Sequence, residues 1–320
     1  MSKIIKRWLI AAASLVVLGS LIFVLTACAA GWDFSKFATG KYETNTYEIT
    51  EPFNNISIKT DTTDVEFVLS NDGKSKAVCY EEKSEKHSVT AVDGVLAING
   101  ENKKWYENIG INIESPKITL YLSKAEYASF KLETDTGDVK IPKDFKFESV
   151  EILTDTGDVK SSACVLGKMK MKATTGDLFL EDTSVGTLDI SVTTGDVTVS
   201  GVTCEGDITI GVTTGKTHLK DVTCKNLTSS GNTGDISLNS VIATEKVSIE
   251  RSTGDVKFDR SDAAEIFVKT DTGDVEGNLL TDKIFFTRTD TGDVEVPKLT
   301  TGGKCEITTD TGDIKMEIRN

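Results

Sequence analysis

The phrase Thr-Gly-Asp, or a near variant, occurs ten times in the last two-thirds of this chain, at intervals of 19 or 20 residues. Its glycines are Gly137, Gly157, Gly176, Gly195, Gly215, Gly234, Gly254, Gly273, Gly292 and Gly312. So regular a period means one structural unit stacked on itself. Apolar residues recur seven and five positions before each glycine, as in Leu188/Ile190 and Ile208/Ile210, and two and four after it, as in Val197/Val199 and Ile236/Leu238. They alternate with polar residues, and a period of two makes half-buried strands. Each repeat therefore reads as strand, tight turn, strand and a variable return. The glycine supplies the positive φ of the turn.

A unit this short has no room for a crossover helix, so each strand must pair with its copy one turn on. The expected fold is all-β, a parallel β-solenoid, right-handed by the usual crossover preference. Ten rungs at strand spacing make a rod roughly 45 Å long. Identical positions then form ladders. Threonine precedes every glycine from Thr136 to Thr311, and alternation extended through the turn points these threonines inward. Aspartate follows every glycine except Gly215, where Lys216 stands. Two repeats have a polar residue at an inward position, Ser229 and Thr287, and a thinner core is expected there.

The chain divides into a membrane segment (1–30), a polar stalk (31–46), an N-terminal β cap (47–129) and the repeats (130–320). Trp8 to Ala30 carries no charge and is long enough to span a bilayer. Lys3, Lys6 and Arg7 precede it, which places the body outside the cytoplasm. Two readings stand open. Leu25-Thr26-Ala27-Cys28 has the form of a lipobox, with Cys28 lipidated. The apolar run continues past Cys28 and is long for a cleaved signal, which favours an uncleaved anchor. Asn54 to Leu69 reads as a first, degenerate rung. The runs 76–80, 88–90, 95–98 and 115–122 read as antiparallel strands that close the end of the stack, as repeat arrays require.

Several of these phrases are shared with one family. Gly31-Trp32-Asp33-Phe34-Ser35-Lys36, Lys41-Tyr42-Glu43-Thr44-Asn45-Thr46-Tyr47, the strand from Pro116 to Leu122 and the Thr-Asp-Thr-Gly-Asp-Val turns resemble the bacterial putative-adhesin family known as domain of unknown function 4097. The resemblance spans nearly the whole chain. It implies a β-helical domain on the cell envelope, often behind a membrane anchor, and brings no catalytic residues with it. For some relatives it implies a part in envelope-stress responses.

The formal net charge of −14 disfavours nucleic acid or an anionic membrane surface as partner. The aspartate ladder is the sharpest chemical feature. Like charges one strand spacing apart repel by about 0.9 kcal/mol per pair even in water. A second acid precedes the turn toward both ends of the rod, pairing Asp135 with Asp138, Asp155 with Asp158, Asp271 with Asp274, Asp290 with Asp293 and Asp310 with Asp313. Calcium, which takes several oxygens, is the candidate ligand. The competing reading, and the expected one, is that each aspartate caps its own turn and faces water, with no cofactor. The inward parity argues against an ice-binding threonine array.

Phe267 and Phe286 fall at an outward position of consecutive repeats and form a candidate partner patch, with Trp105 and Tyr106 of the cap as a second hint. Cys204 and Cys224 share a slot of neighbouring rungs, close enough to be candidates for a disulfide, and Cys305 falls inward as a buried thiol. His87 and His218 are the only histidines, neither in a recognisable motif, and the acids repeat at every turn instead of marking one centre. The expected function is therefore non-enzymatic: a membrane-anchored extracytoplasmic rod that adheres to cell-wall glycan or a host surface. The alternative is an envelope-stress component that acts through a membrane regulator protein.

Overall fold

The computed structural model describes residues 3–29, 31–32, 41–100 and 115–319. The helix Lys3–Ala29 is followed by twenty-three strands joined in one continuous sheet. In the repeats the pairing is parallel and in register: Met171 lies beside Ile190, Ile190 beside Ile210 and Ile210 beside Ser229. One buried core runs the length of the rod, from Ile56 to Met316.

The turn glycines have φ between 129° and 152°. This lies beyond the left-handed helical region, in territory that is essentially glycine's alone. A second constraint comes from stacking. A Cβ on Gly195 would lie 2.1 Å from the carbonyl oxygen of Gly176 in the rung behind it. The backbone continues its ladder through the corner: Gly195 N–H donates to Thr214 C=O at 3.0 Å and Val197 N–H to Lys216 C=O at 2.9 Å.

The corner also breaks the alternation. Ile190 and Val192 point inward, Thr193 and Thr194 both point outward, and Val197 is inward again. The threonine ladder from Thr136 to Thr311 is therefore exposed along its whole length, contrary to the inward placement expected from simple parity. The buried threonines sit two positions earlier. Thr134 and Thr154 donate to the C=O of Thr136 and Thr156 at 3.1 and 3.2 Å, which ties down the bend from inside. A second corner lies six residues after each glycine in mid-rod. There Asp182, Gly201, Asp221, Ser240 and Arg260 all have φ between 47° and 64°.

The thin rung at Ser229 is filled from its neighbour. Arg251 is 2% exposed and donates through Nη2 to Thr217 and Ser229, both at 3.1 Å. Its guanidinium lies over Gly231, where a Cβ would sit 2.3 Å from Nη1.

The far end departs from sequential stacking. The strand Val256–Thr272 pairs with Gly303–Thr311, and Gly303–Thr311 pairs in turn with Lys283–Thr291. The last repeat of the sequence thus fills the slot between the Gly273 and Gly292 rungs. Burial explains the exchange. The inserted repeat supplies Cys305, Ile307, Ile314 and Met316, all within 2% of full burial. The outermost rung carries Thr287 and Thr289 at inward positions and leaves Val294 46% exposed. Placing the more apolar repeat inside removes more apolar surface from water.

At the near end, Asn55–Thr62 and Asp64–Leu69 form the degenerate first rung against Glu126–Thr136 and Val139–Ile141. Outside it lie Val95–Asn99 and Lys117–Leu122, which pair in parallel and extend the solenoid by one layer. The cap is therefore only partly antiparallel. Ser75–Glu82 runs antiparallel on Lys117–Leu122, Tyr42–Ile49 on Ser75–Glu82, and Ser88–Val92 on Val95–Asn99. The capping strand Tyr42–Ile49 includes residues 42–46, which the sequence reading assigned to the stalk.

Candidate ligand-binding surface

The aspartate ladder holds neighbouring rungs together. Asp138 N–H donates to Asp64 Oδ1 at 2.9 Å, Asp158 N–H to Asp138 Oδ1 at 2.8 Å, and Asp177 and Asp196 continue the series to Lys216 N–H. Lys216 has no acceptor to offer, so the series stops there and restarts at Asp235, running through Asp255, Asp274, Asp313 and Asp293. Lys216 Nζ instead pairs with Asp235 at 3.0 Å. That contact, opposed by partial burial, holds the Asp235 carboxyl below its ordinary value. Each of these bonds is charge-assisted, and the acceptor serves the next rung rather than its own turn.

The second acids, Asp135, Asp155, Asp271, Asp290 and Asp310, point to solvent. At the near end Asp61, Asp135 and Asp155 stack beside Glu133, Lys59 and Lys172 in an open groove of about 480 Å³. Burial, and then the neighbouring Asp135, raises the Asp61 carboxyl. At the far end Asp310 lies between Asp271 and Asp290, because the Gly312 rung is inserted there. One oxygen of each ladder aspartate inside the stack, from Asp138 to Asp313, is already engaged by the backbone N–H of the next rung. Calcium and magnesium at equal ionic strength are therefore expected to move the melting temperature weakly and alike. A saturable, calcium-selective rise, lost when Asp271, Asp290 and Asp310 become Asn, would overturn that expectation.

The two phenylalanines of the expected patch are placed differently from the sequence reading. Phe267 and Phe286 are not on adjacent rungs, since Glu306 of the inserted repeat stands between them. Phe286 is 53% exposed. Lys246 Nζ lies 4.2 Å from the Phe267 ring centre, and Lys304 Nζ lies 4.9 Å from Phe267 and 5.7 Å from Phe286. Lys304 also pairs with Glu306 at 2.7 Å. Two aromatic rings, two ammonium groups and a carboxylate thus share one strip, most exposed at Phe286, at the end of the rod opposite the cap. Trp105 and Tyr106 lie outside the described residues.

A groove of about 380 Å³ opens on another face of the same end, lined by Leu238 and Phe258 with Asn239, Asp259, Lys257 and Glu276 among others. Sequence reasoning missed it. The available signal was Gly277, which stands where other repeats place Phe258 or Met316.

A buried titratable cluster lies in the cap. Glu81 is 1% exposed and accepts from Asn45 at 2.8 Å, Tyr47 at 2.7 Å and the backbone N–H of His87 at 2.7 Å, with the His87 ring Nδ1 also at 2.7 Å. Cys79 completes a buried trio with them. Burial pushes the Cys79 thiol up to about 12, so it stays protonated, and the carboxylate oxygens are already engaged. The trio fits a structural polar network better than a metal centre. His218 is exposed, with Nδ1 2.8 Å from the Ser237 hydroxyl. Cys204 and Cys224 are free and buried, and burial pushes the Cys224 thiol up to about 12. Cys305 is buried as expected. Cys28 is an exposed residue of the N-terminal helix, which continues past it to Ala29.

The family model for Toastrack DUF4097 matches residues 53–216 and again 205–320. The chain belongs to the Toastrack DUF4097 family. Solved structures similar to this Toastrack chain include one described as a putative adhesin from Bacteroides fragilis, 17% identical over 87% of this chain and 97% of that one, with a TM-score of 0.40. Another, described as a putative adhesin from Parabacteroides distasonis, is 13% identical over 84% and 98%, with a TM-score of 0.48. A third, from the same organism and described as a putative lipid binding protein, is 19% identical over 76% and 98%, with a TM-score of 0.49. No curated protein matches this Toastrack chain.

Proposed function

We propose that this protein is a membrane-anchored, extracytoplasmic rod that works by binding, and that its far end presents the Phe267–Phe286 strip to a glycan of the cell wall or of a host surface. The observation that carries the reading is the strip itself: the exposed Phe286 ring and the half-buried Phe267 ring beside the ammonium groups of Lys246 and Lys304 and the carboxylate of Glu306. Ring faces stack on the apolar faces of sugars, and the charged groups hydrogen-bond hydroxyls. The segment Ile5–Ala29 is long and apolar enough to cross a membrane, and Lys3, Lys6 and Arg7 at its start favour an external body. A rod that enters at the capped end would carry the strip away from the membrane.

The test is a binding screen of residues 35–320 against isolated cell wall, wall glycans and host-matrix glycans. In the variant Phe267→Ala/Phe286→Ala, affinity for the captured glycan is expected to fall on the order of 10-fold or more, as for other aromatic anchors. Its melting temperature should stay close to that of the parent, because both rings are outside the core. Unchanged affinity in that variant, or no glycan captured at all, would sink the proposal.

A further inference from the structure

The geometry points to a covalent staple at the far end of the rod: an amide bond between the side chains of Lys283 and Asp262. Lys283 begins the outermost rung, yet its side chain is 1% exposed. It crosses the inserted repeat at Gly303, its register partner, and meets Asp262 on the strand behind. Gly303 leaves room for the crossing, since a Cβ there would sit 3.4 Å from Lys283 Cδ and 2.1 Å from the carbonyl oxygen of Ala264. Lys283 Nζ and Asp262 Oδ1 are 2.6 Å apart. The Thr281 hydroxyl also contacts Nζ.

As an ion pair this arrangement is poorly compensated. Both charges are removed from water, which costs more than their attraction returns unless the remaining lone pairs are satisfied. Asp262 Oδ1 has a second donor, Ala263 N–H at 2.8 Å. Asp262 Oδ2 is buried with no hydrogen-bond partner among the described residues. An orphaned buried acceptor adds its own desolvation penalty.

Condensation removes all three liabilities. In a dry site the ammonium proton passes to the carboxylate, leaving a neutral amine beside a neutral acid. The Nζ lone pair attacks Cγ. Ala263 N–H steadies the negative charge that develops on Oδ1, and the Thr281 hydroxyl positions the amine. The Cγ–Oδ2 bond breaks as the Cγ–Nζ bond forms. Oδ2 leaves as water with the transferred proton and one proton from Nζ. The amide keeps Oδ1 and its bond to Ala263, loses the orphan oxygen and carries no charge. No oxidant, reductant or cofactor is needed. The product would tie the outermost rung to the strand behind the inserted repeat and so lock the out-of-order end of the stack.

Trypsin digestion and mass spectrometry of the full-length chain, purified in detergent, test this directly. Trypsin cuts after a free lysine and not after an acylated one. The expected product is Ser261–Lys269 joined to an uncut Thr270–Arg288, lighter by one water than the two peptides together. In Asp262→Asn the same branched peptide is expected at the same mass, because ammonia leaves in place of water. In Lys283→Arg the branch should be absent. Recovery of separate Thr270–Lys283 and Ile284–Arg288 peptides from the unmodified protein, with no branched species, would overturn the proposal and leave a buried ion pair. Persistence of a branch in Lys283→Arg would overturn the assignment to this lysine.

Discussion

Gly195→Val is expected to destabilise the rod by about 3 kcal/mol or more, through two independent effects. The backbone there has φ of 143°, which a β-branched residue adopts only at high cost. The new Cβ would also stand 2.1 Å from the oxygen and 2.7 Å from the carbon of the Gly176 carbonyl, and 3.2 Å from Asp177 Oδ1. The neighbouring atoms are backbone in a rung packed on both sides, so they cannot swing away. To accommodate the side chain the corner must open, which disrupts the bond from Gly195 N–H to Thr214 C=O and the clasp from Asp196 N–H to Asp177. Gly211 provides the control. It lies in a strand without positive φ, and its nearest atom to an added Cβ is 4.0 Å away. Gly211→Ala should therefore leave the melting temperature nearly unchanged or raise it slightly. Thermal unfolding of both variants, followed by circular dichroism, would decide the point. A melting temperature for Gly195→Val within a degree or two of the parent would show that the corner is not built as described.

The second large effect is expected in the cap. Burial by itself raises the Glu81 carboxyl. The bonds from the His87 N–H, Tyr47, Asn45 and the His87 ring together outweigh it and hold the group below its ordinary value of 4.5. A carboxyl whose folded pKa lies below its unfolded one adds stability above the unfolded value. It loses that stability as the pH falls through the folded one. The titration of Glu81 should therefore leave the melting temperature unchanged around neutral pH and lower it below about pH 4.5. Glu81→Gln should flatten this acid limb, since the variant has no proton to take up. Glu81→Ala is expected to cost about 3–5 kcal/mol at pH 7, because it strands the buried donors of His87 and the half-buried ones of Asn45 and Tyr47. An acid limb unchanged in Glu81→Gln would mean that other carboxyls, such as Glu43 or Glu66 with their lysine partners, carry the whole effect.

Much of this architecture was legible in the residues because it is periodic. Identical short units can bury their apolar faces only against one another. The spacing of the glycines, the two apolar pairs around each and the first degenerate rung therefore led directly to a parallel stack. The placement of the threonines could have been read as well. Inward positions fall at odd offsets before each glycine and at even offsets after it, so the alternation has to break at the corner. Extending it unbroken turned Thr136 to Thr311 the wrong way.

The order of the last rungs is a tertiary decision. Every repeat carries the same pairing edges, so local sequence leaves open which copy is inner and which is terminal. The choice rests on total burial: Cys305, Ile307, Ile314 and Met316 gain more from the inner slot than Thr287 and Val294 would. The same choice separates Phe267 from Phe286, stacks Asp310 between Asp271 and Asp290, and brings Lys283 to Asp262. The filling of the Ser229 gap by Arg251 belongs to this class too, because it depends on a side chain 22 residues away in the chain and one rung away in space. The order of residues alone carries the repeating unit, its glycine turn and the candidate membrane segment. Which repeats become neighbours follows from the packed rod, because it depends on the summed burial of whole rungs and not on the pattern within any one of them.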